Sequence, residues 1–226
     1  MLYGSQARGS AEIDSDVDVL QVVSSGSGAY RSGRVAVTAY APAHLQQMAM
    51  QGSLFILHLI VDGILLSDPA GILRRALNSY VAPDSYDSLH TALREAAAAI
   101  LVQGAEFDEY QESIGRMGIY LLRTQLYARC AAAGKPVFAV ELAIESQNVD
   151  LLHVLKMRRT ERLSESDVRA IQAELAEVFQ VFPSDELLAD AAVRLARANP
   201  HAGGLIGQVI SHGAIMDYNA FPLPPL

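Results

Sequence analysis

The sequence predicts an α+β protein, in which a small mixed β-sheet domain with flanking helices (residues 1–82) precedes an α-helical bundle domain (residues 83–200). Two observations lead to this prediction. The first part contains short segments rich in β-branched residues, which are typical of strands. From Asp84 onward, apolar residues recur at spacings of three and four, which indicates helices. The proline-rich end predicts a C-terminal tail over residues 201–226.

The predicted sheet domain contains three candidate strands and one short helix. The strands are predicted over Val17–Val23, Arg34–Tyr40 and Phe55–Leu66, the last with a turn at Asp62-Gly63. The segment SSGSGAYRSG is predicted as a turn, short enough to make the first two strands antiparallel neighbours. Proline near the start of Ala41–Gly52, helical spacing within it and glycine at its end predict a helix there.

The predicted bundle follows from apolar positions that share a helical face. Gly134, followed closely by a proline, marks the end of the longest helix, and Ser164 is placed as the N-cap of a later one. These signals predict roughly five or six helices. The segments with helical spacing are Leu89–Leu101, Ile114–Leu126, Phe138–Ser146, Val149–Arg158, Ser166–Phe179 and Asp185–Ala198.

Composition and charge exclude several classes of protein. Hydrophobic residues make up 51% of the chain, enough for a substantial core. A net charge of -8, with only 17 Lys and Arg, argues against a protein that tracks a nucleic-acid backbone. The most apolar window, Ser53–Leu66, is too short to cross a membrane. The single cysteine, Cys130, and an N-terminus without signal-peptide features predict a cytoplasmic protein.

The opening stretch GSQARGSAEIDSDVDVL, Gly4–Leu20, carries two carboxylates on one predicted strand. Side chains alternate along a strand, so Asp16 and Asp18 share one face, while Val17 and Val19 point to the other face and into the core. Two carboxylates on one face repel each other unless a cation lies between them. A divalent metal is the usual solution, and Mg²⁺ suits a few carboxylates together with phosphate oxygens.

A glycine-serine turn precedes these carboxylates. Gly4 permits a close turn of the backbone, because glycine has no Cβ. The amides of Ser5 and Gln6 would open a helix whose N–H groups suit phosphate, and the Ser5 hydroxyl adds a donor. The turn and the acidic pair together predict a site for a nucleotide and its metal ions.

This stretch resembles the GSxARG-to-SDxD signature of the DNA polymerase beta-type nucleotidyltransferase superfamily, especially small bacterial members related to aminoglycoside nucleotidyltransferases and minimal nucleotidyltransferase antitoxins. The resemblance implies a nucleotidyltransferase sheet domain followed by helices. It also implies that Gly4 and Ser5 bind the triphosphate of ATP or another NTP. Asp16 and Asp18 would be the catalytic residues that ligate Mg²⁺ or Mn²⁺, while Arg8 and Gly9 would fix the loop.

The implied reaction is metal-dependent transfer of a nucleoside monophosphate from an NTP to a hydroxyl. The hydroxyl of a small molecule or of a protein side chain would attack the α-phosphate, and pyrophosphate would leave. Two metal ions would stabilise the entering and departing oxygens. The acidic balance of the chain favours a cationic acceptor such as an aminoglycoside.

The sequence departs from the family pattern at two places. Active members supply a third carboxylate from a later strand, but no Asp or Glu occurs between Val19 and Val61, and Thr38 or Val37 occupies the expected position. Asp62 is the next candidate. Met1-Leu2-Tyr3 leaves only a stub of the strand that precedes the turn in the family, which indicates a truncated start or a reduced domain.

These departures leave two functions open. One is the transferase, with Glu112 or Glu109 of the helical part as a candidate general base. The alternative is a catalytically reduced homologue that binds a nucleotide or a partner protein, as an antitoxin or regulatory subunit. A homodimer is also left open, whereas a template-independent RNA polymerase is disfavoured because no basic groove is visible.

Overall fold

The computed structural model describes residues 1–13 and 15–212, which form an α+β protein that is 60% helical and contains a small four-stranded mixed sheet. The described residues divide into two compact units. The first unit contains Met1–Tyr86 and Arg129–Ala143, and the second contains Asp87–Ala128 and residues 144–212. The segment Arg129–Ala143 therefore belongs with the sheet, although the sequence analysis assigns it to the helical domain.

The sheet lies in the first unit. Its strands are β1 (Leu2–Tyr3), β2 (Val17–Val22), β3 (Ser27–Ser32) and β4 (Val35–Tyr40), in the spatial order β1-β2-β4-β3. The prediction that β2 and β4 are antiparallel neighbours is wrong, because they pair in parallel. The segment between them contains β3, which is connected to β4 by a turn at Gly33 and pairs with it in the antiparallel direction, so that β4 runs in the same direction as β2.

Four helices of the first unit precede residue 80: α1 (Gly4–Arg8), α2 (Pro42–Met50), α3 (Leu54–Asp62) and α4 (Ile72–Asn78). The structure confirms the predicted helix at α2. The strand predicted over Phe55–Leu66 is wrong, since most of that segment forms α3. Its apolar run does not alternate with polar residues, and the Ser53 side chain caps the helix by accepting a hydrogen bond from the Phe55 N–H.

The remaining helices confirm the predicted helical periodicity. Ser164 caps α9 as predicted, through a capping box with Asp167. Helices α6 and α7 contribute residues to both units. The helices are α5 (Asp87–Ala99), α6 (Gly104–Ala132), α7 (Val140–Gln147), α8 (Leu152–Leu155), a 3-10 helix (Lys156–Arg159), α9 (Glu165–Phe179), α10 (Leu188–Ala198) and α11 (Pro200–His212).

The start of the predicted C-terminal tail is helical. Residues 201–212 belong to α11, and the rest of the predicted tail lies outside the described residues. A Cβ added at Gly203 would lie 2.4 Å from the backbone nitrogen of Ala196, so α10 and α11 approach closely there. In the described part of the chain, no helix is both long and apolar enough to span a membrane.

Each unit has its own apolar core. In the first unit, one face of the sheet contributes the buried residues Leu20 and Tyr40, and the Tyr40 ring packs edge-on against Phe55 of α3. In the second unit, α6 packs closely on α9. A Cβ at Gly118 would lie 2.4 Å from a methyl carbon of Ile171, so the absence of a side chain at Gly118 is what permits this contact.

Candidate functional site

The glycine-serine turn lies directly against the acidic strand. Gly4 begins α1 with a φ of 74°, in the left-handed region, and is buried. A Cβ at this position would lie 2.6 Å from the Oδ2 atom of Asp18. Gly4 is therefore required both by its backbone conformation and by its contact with the carboxylate. The Ser5 hydroxyl makes no hydrogen bond to another described residue, which leaves it available to a ligand.

The two aspartates lie at the start of β2. Asp18 is in register with Tyr3 of β1 and with Ala36 of β4, and Asp16 comes just before the strand. The sequence predicts that the face of β2 with Val17 and Val19, opposite the aspartates, points into the core, but the aspartate face is buried in part as well. Val17 and Val19 are only partly buried, whereas Leu20, on the same face as Asp18, is 2% exposed.

Asp16 forms an ion pair with Arg31 of the edge strand β3, which the sequence analysis did not identify. Nη1 of Arg31 donates to Oδ1 of Asp16 over 2.7 Å, and Nη2 donates to Oδ2 over 3.2 Å. The two parallel hydrogen bonds give the bidentate geometry that arginine favours with carboxylates. The arginine in AYRSG is visible in the sequence, but the turn predicted for that segment gives no indication that Arg31 lies beside the carboxylates.

The neighbouring strand carries no carboxylate beside Asp18. The register places Ala36 next to Asp18, and Thr38 lies two residues further along on the same face. The Thr38 hydroxyl hydrogen-bonds to the Tyr3 hydroxyl over 3.2 Å. Val37, the other residue predicted at the third carboxylate position, faces the opposite side of the sheet and is buried.

Asp62, the remaining candidate for the third carboxylate, is committed to other partners. Its Oδ2 accepts a hydrogen bond from Nη1 of Arg8 over 2.6 Å and lies 3.2 Å from Nε2 of His58. The His58 ring also stacks on Phe138. Through this ion pair, Asp62 connects Arg8 in α1 to α3. These contacts give Asp62 a structural explanation that does not involve the acidic pair.

The electrostatic environment of Asp62 is reflected in its pKa. Burial by itself would raise the pKa of this carboxyl group. Hydrogen bonds from His58 and Arg8, together with their charges, outweigh burial and hold the pKa below its usual value. The ionised form of Asp62 is therefore favoured in the folded protein, so its contribution to stability depends on pH.

Replacing Asp62 with asparagine should destabilise the protein by about 1–2 kcal/mol at pH 7, because Arg8 and His58 lose their charged acceptor. A lowered pKa contributes stability that is fully present above the unfolded value of 3.8 and is lost as pH falls through the folded value. Urea unfolding at a series of pH values should show a difference from wild type near pH 5 that shrinks below about pH 4.

An exposed carboxylate provides the control for Asp62. Asp190 lies on the exposed side of α10, and Asp190→Asn should change the free energy of unfolding at pH 7 by less than about 0.5 kcal/mol. A difference between Asp62→Asn and wild type that does not change with pH would contradict the assignment of Asp62 as a charged partner of Arg8 and His58.

Glu112, a predicted candidate for a general base, lies in a structural ion pair of the second unit. Its Oε1 lies 2.7 Å from Nη2 of Arg116, and its Oε2 accepts a hydrogen bond from the Leu163 N–H over 2.9 Å. Arg116 is 7% exposed and also donates to the backbone carbonyls of residues 158, 160 and 161. Glu112 therefore contacts the 158–163 segment directly through Oε2, and indirectly through Oε1 and Arg116. Glu109, the other candidate, is exposed.

The carboxylates of Asp16 and Asp18 are the candidate ligands for a metal ion. Asp16 and Asp18 supply two carboxylates near the start of one strand, and phosphate oxygens of a nucleotide could complete the coordination of one Mg²⁺. Among residues 1–13 and 15–212, no group of three or more His, Cys, Asp or Glu side chains is arranged to hold a metal. The two carboxylates are ligands of the type that suits one metal ion delivered with a nucleotide.

The assembled site consists of the turn at Gly4 and Ser5, the carboxylates of Asp16 and Asp18, and the Arg31 guanidinium. It can offer a hydroxyl and backbone to phosphate oxygens and carboxylates to one cation. When the chain is compared with protein-family models, with curated proteins and with solved structures, no match is found.

Proposed function

We propose that this chain is a nucleotidyltransferase-like protein of the polymerase beta type that binds a nucleoside triphosphate together with one divalent metal ion, and that it is catalytically reduced. One observation carries the proposal: β4, the strand on which an active member would supply its third carboxylate, places Ala36 beside Asp18 and carries Val37 and Thr38 at the expected positions, and none of these side chains is acidic. An alanine methyl can neither bind a metal ion nor accept a proton. The site therefore retains the parts that hold a nucleotide and lacks one that performs the transfer.

The retained parts have separate roles in binding. Gly4 allows the backbone to turn directly above Asp18, and the Ser5 hydroxyl would donate to a phosphate oxygen. Asp16 and Asp18 would hold the metal ion. When bound, this ion would neutralise the negative charge shared by the carboxylates and the triphosphate.

The missing carboxylate explains why transfer is not expected. By resemblance to the family, the third carboxylate would bind the catalytic metal ion and help to deprotonate the attacking hydroxyl. In the described part of the chain, three of the residues considered for the third carboxylate position or for the general base have other partners. Thr38 hydrogen-bonds to Tyr3, Asp62 forms ion pairs with Arg8 and His58, and Glu112 forms an ion pair with Arg116. A bound nucleotide would then act as a regulatory ligand or support binding of a partner protein.

Calorimetric titration of each of the four NTPs with Mg²⁺ or Mn²⁺ tests this proposal. The wild-type chain should bind at least one NTP, and Asp16→Asn should bind it about tenfold or more weakly, because a metal ligand is lost. Asp190→Asn removes an exposed carboxylate of the second unit and should bind as wild type does. Failure of every NTP to bind the wild-type chain would reject the proposal.

The same preparations can test for the transferase. Label transfer from each α-labelled NTP would be measured against aminoglycosides and cell lysate. We expect no labelled acceptor and no release of pyrophosphate. A labelled acceptor that disappears with Asp16→Asn would instead establish transfer of a nucleoside monophosphate to a hydroxyl, and would identify the acceptor.

A further inference from the structure

The acidic pair already has a cation beside it, the Arg31 guanidinium. Its two hydrogen bonds, of 2.7 and 3.2 Å, engage both oxygens of Asp16. The side chains of Arg31 and Asp16 are 41% and 38% exposed, so the pair lies at the surface of the sheet. Any metal ion that uses Asp16 as a ligand must bind an oxygen that now accepts a hydrogen bond from Arg31.

The sheet register explains how Arg31 reaches the acidic strand. Arg31 of β3 is the register partner of Ala36 in β4, and Ala36 is the register partner of Asp18 in β2. These three residues form one row across the sheet and share a face. Ala36 is the middle residue of the row. Between Arg31 and Asp18, this row therefore carries only a methyl group.

The absence of an acid at position 36 and the presence of Arg31 therefore act together. An acidic residue at position 36 would add negative charge and attract metal ions, whereas Arg31 adds positive charge next to Asp16 and repels them. Arg31 also lies on an edge strand whose residues are all exposed. Its guanidinium can turn away into water without disturbing the apolar core.

We propose that Arg31 is an internal competitor of the metal ion: it engages Asp16 in the nucleotide-free protein and is displaced when a metal–nucleotide complex binds. This inference rests on the proposed function, because it concerns the same carboxylates. Arg31 thus sets the affinity of the site for divalent ions. The site binds a metal ion alone weakly, and it binds the ion more readily when a triphosphate contributes further oxygens.

Mn²⁺ without nucleotide is the probe that tests this proposal. Electron paramagnetic resonance would report free Mn²⁺ during titration of the full chain as wild type, Arg31→Met and Arg31→Lys. We expect Arg31→Met to bind Mn²⁺ about three- to tenfold more tightly than wild type, because a competing charge-assisted pair is removed. Arg31→Lys retains the charge without the bidentate geometry and should be intermediate.

Arg194 provides a matched control. It forms a bidentate ion pair with Glu186 in the second unit, with hydrogen bonds of 2.8 and 2.7 Å. Arg194→Met changes the net charge by the same amount and should bind Mn²⁺ as wild type does. Circular dichroism melts would confirm that each variant is folded, which we expect for Arg31→Met because β3 is exposed.

The possible results separate the two proposals. Unchanged or weaker Mn²⁺ binding by Arg31→Met overturns the role of Arg31, and so does equal tightening by Arg194→Met. Absence of Mn²⁺ binding in every variant also overturns it. If the wild-type chain still binds a nucleotide in the calorimetric titration, any of these Mn²⁺ results would reject the role of Arg31 without rejecting the proposed function. Absence of nucleotide binding would remove the proposed function itself.

Discussion

Replacing Gly4 with alanine should reduce nucleotide affinity by about tenfold or more and destabilise the protein by about 2–4 kcal/mol. The φ of 74° at Gly4 costs an L-residue roughly 1–2 kcal/mol. In addition, the new Cβ would lie 2.6 Å from Oδ2 of Asp18, so either the turn or the carboxylate must move. Movement of either would separate two groups that the proposed function requires to act on one ligand. Calorimetric NTP titration and urea unfolding would measure the two effects.

Gly9 is the matched control for Gly4. It lies at the other end of α1 and has a φ of 71°, but a Cβ there would meet no atom within 4 Å. Gly9→Ala should therefore cost only the backbone term, about 1–2 kcal/mol, and leave nucleotide affinity near that of wild type. Equal losses of affinity in the two variants would show that the contact between Gly4 and Asp18 does not matter for binding.

Replacing Arg116 with methionine should have the largest effect on stability, about 3–5 kcal/mol. The guanidinium supplies hydrogen bonds to Glu112 and to three backbone carbonyls of the segment 158–161. Methionine would leave these acceptors without their donor, and Glu112, whose side chain is 16% exposed, would lose its cationic partner. Urea or thermal unfolding of the variant would measure this loss.

Two further variants test whether the effect arises from burial of the pair. Arg194→Met removes an exposed arginine from an ion pair with Glu186 and should cost about 1 kcal/mol or less. The double variant Arg116→Met with Glu112→Met removes both charges of the pair, of which Arg116 is buried and Glu112 is partly buried, and should be more stable than Arg116→Met alone. If Arg116→Met were no more damaging than Arg194→Met, the ion pair would not be what holds the 158–163 segment.

Several parts of the fold could be predicted because their signals are local. The spacing of apolar residues predicts α9, and the Ser164 cap identifies where it begins. Alternating β-branched residues predict β2 and β4. The segment Phe55–Leu66 is wrongly predicted as a strand, because a short run of apolar residues is compatible with both strand and helix, and most of it forms α3. The helix is distinguished from a strand only by the burial of this segment on more than one side and by the capping side chain of Ser53.

The pairing of the strands could not be predicted in the same way. The segment Ser27–Ser32 is rich in Ser and Gly and resembles a turn, yet it forms β3 because β4 provides a complete row of hydrogen-bond partners. This pairing makes β2 and β4 parallel. It also places Arg31 within reach of Asp16, which no spacing along the sequence indicates.

The sequence by itself determined the parts of the site that depend on neighbouring residues: the close turn at Gly4, the alternation that places Asp16 and Asp18 on one face, and the lack of an acid from Val19 to Val61. Tertiary structure alone decided that Ala36 lies beside Asp18, that Arg31 pairs with Asp16 and that Asp62 is held by Arg8. The physical reason is that a side chain's direction follows from the local backbone, whereas its partner follows from strand order and register, which are set by hydrogen bonds and burial between distant segments.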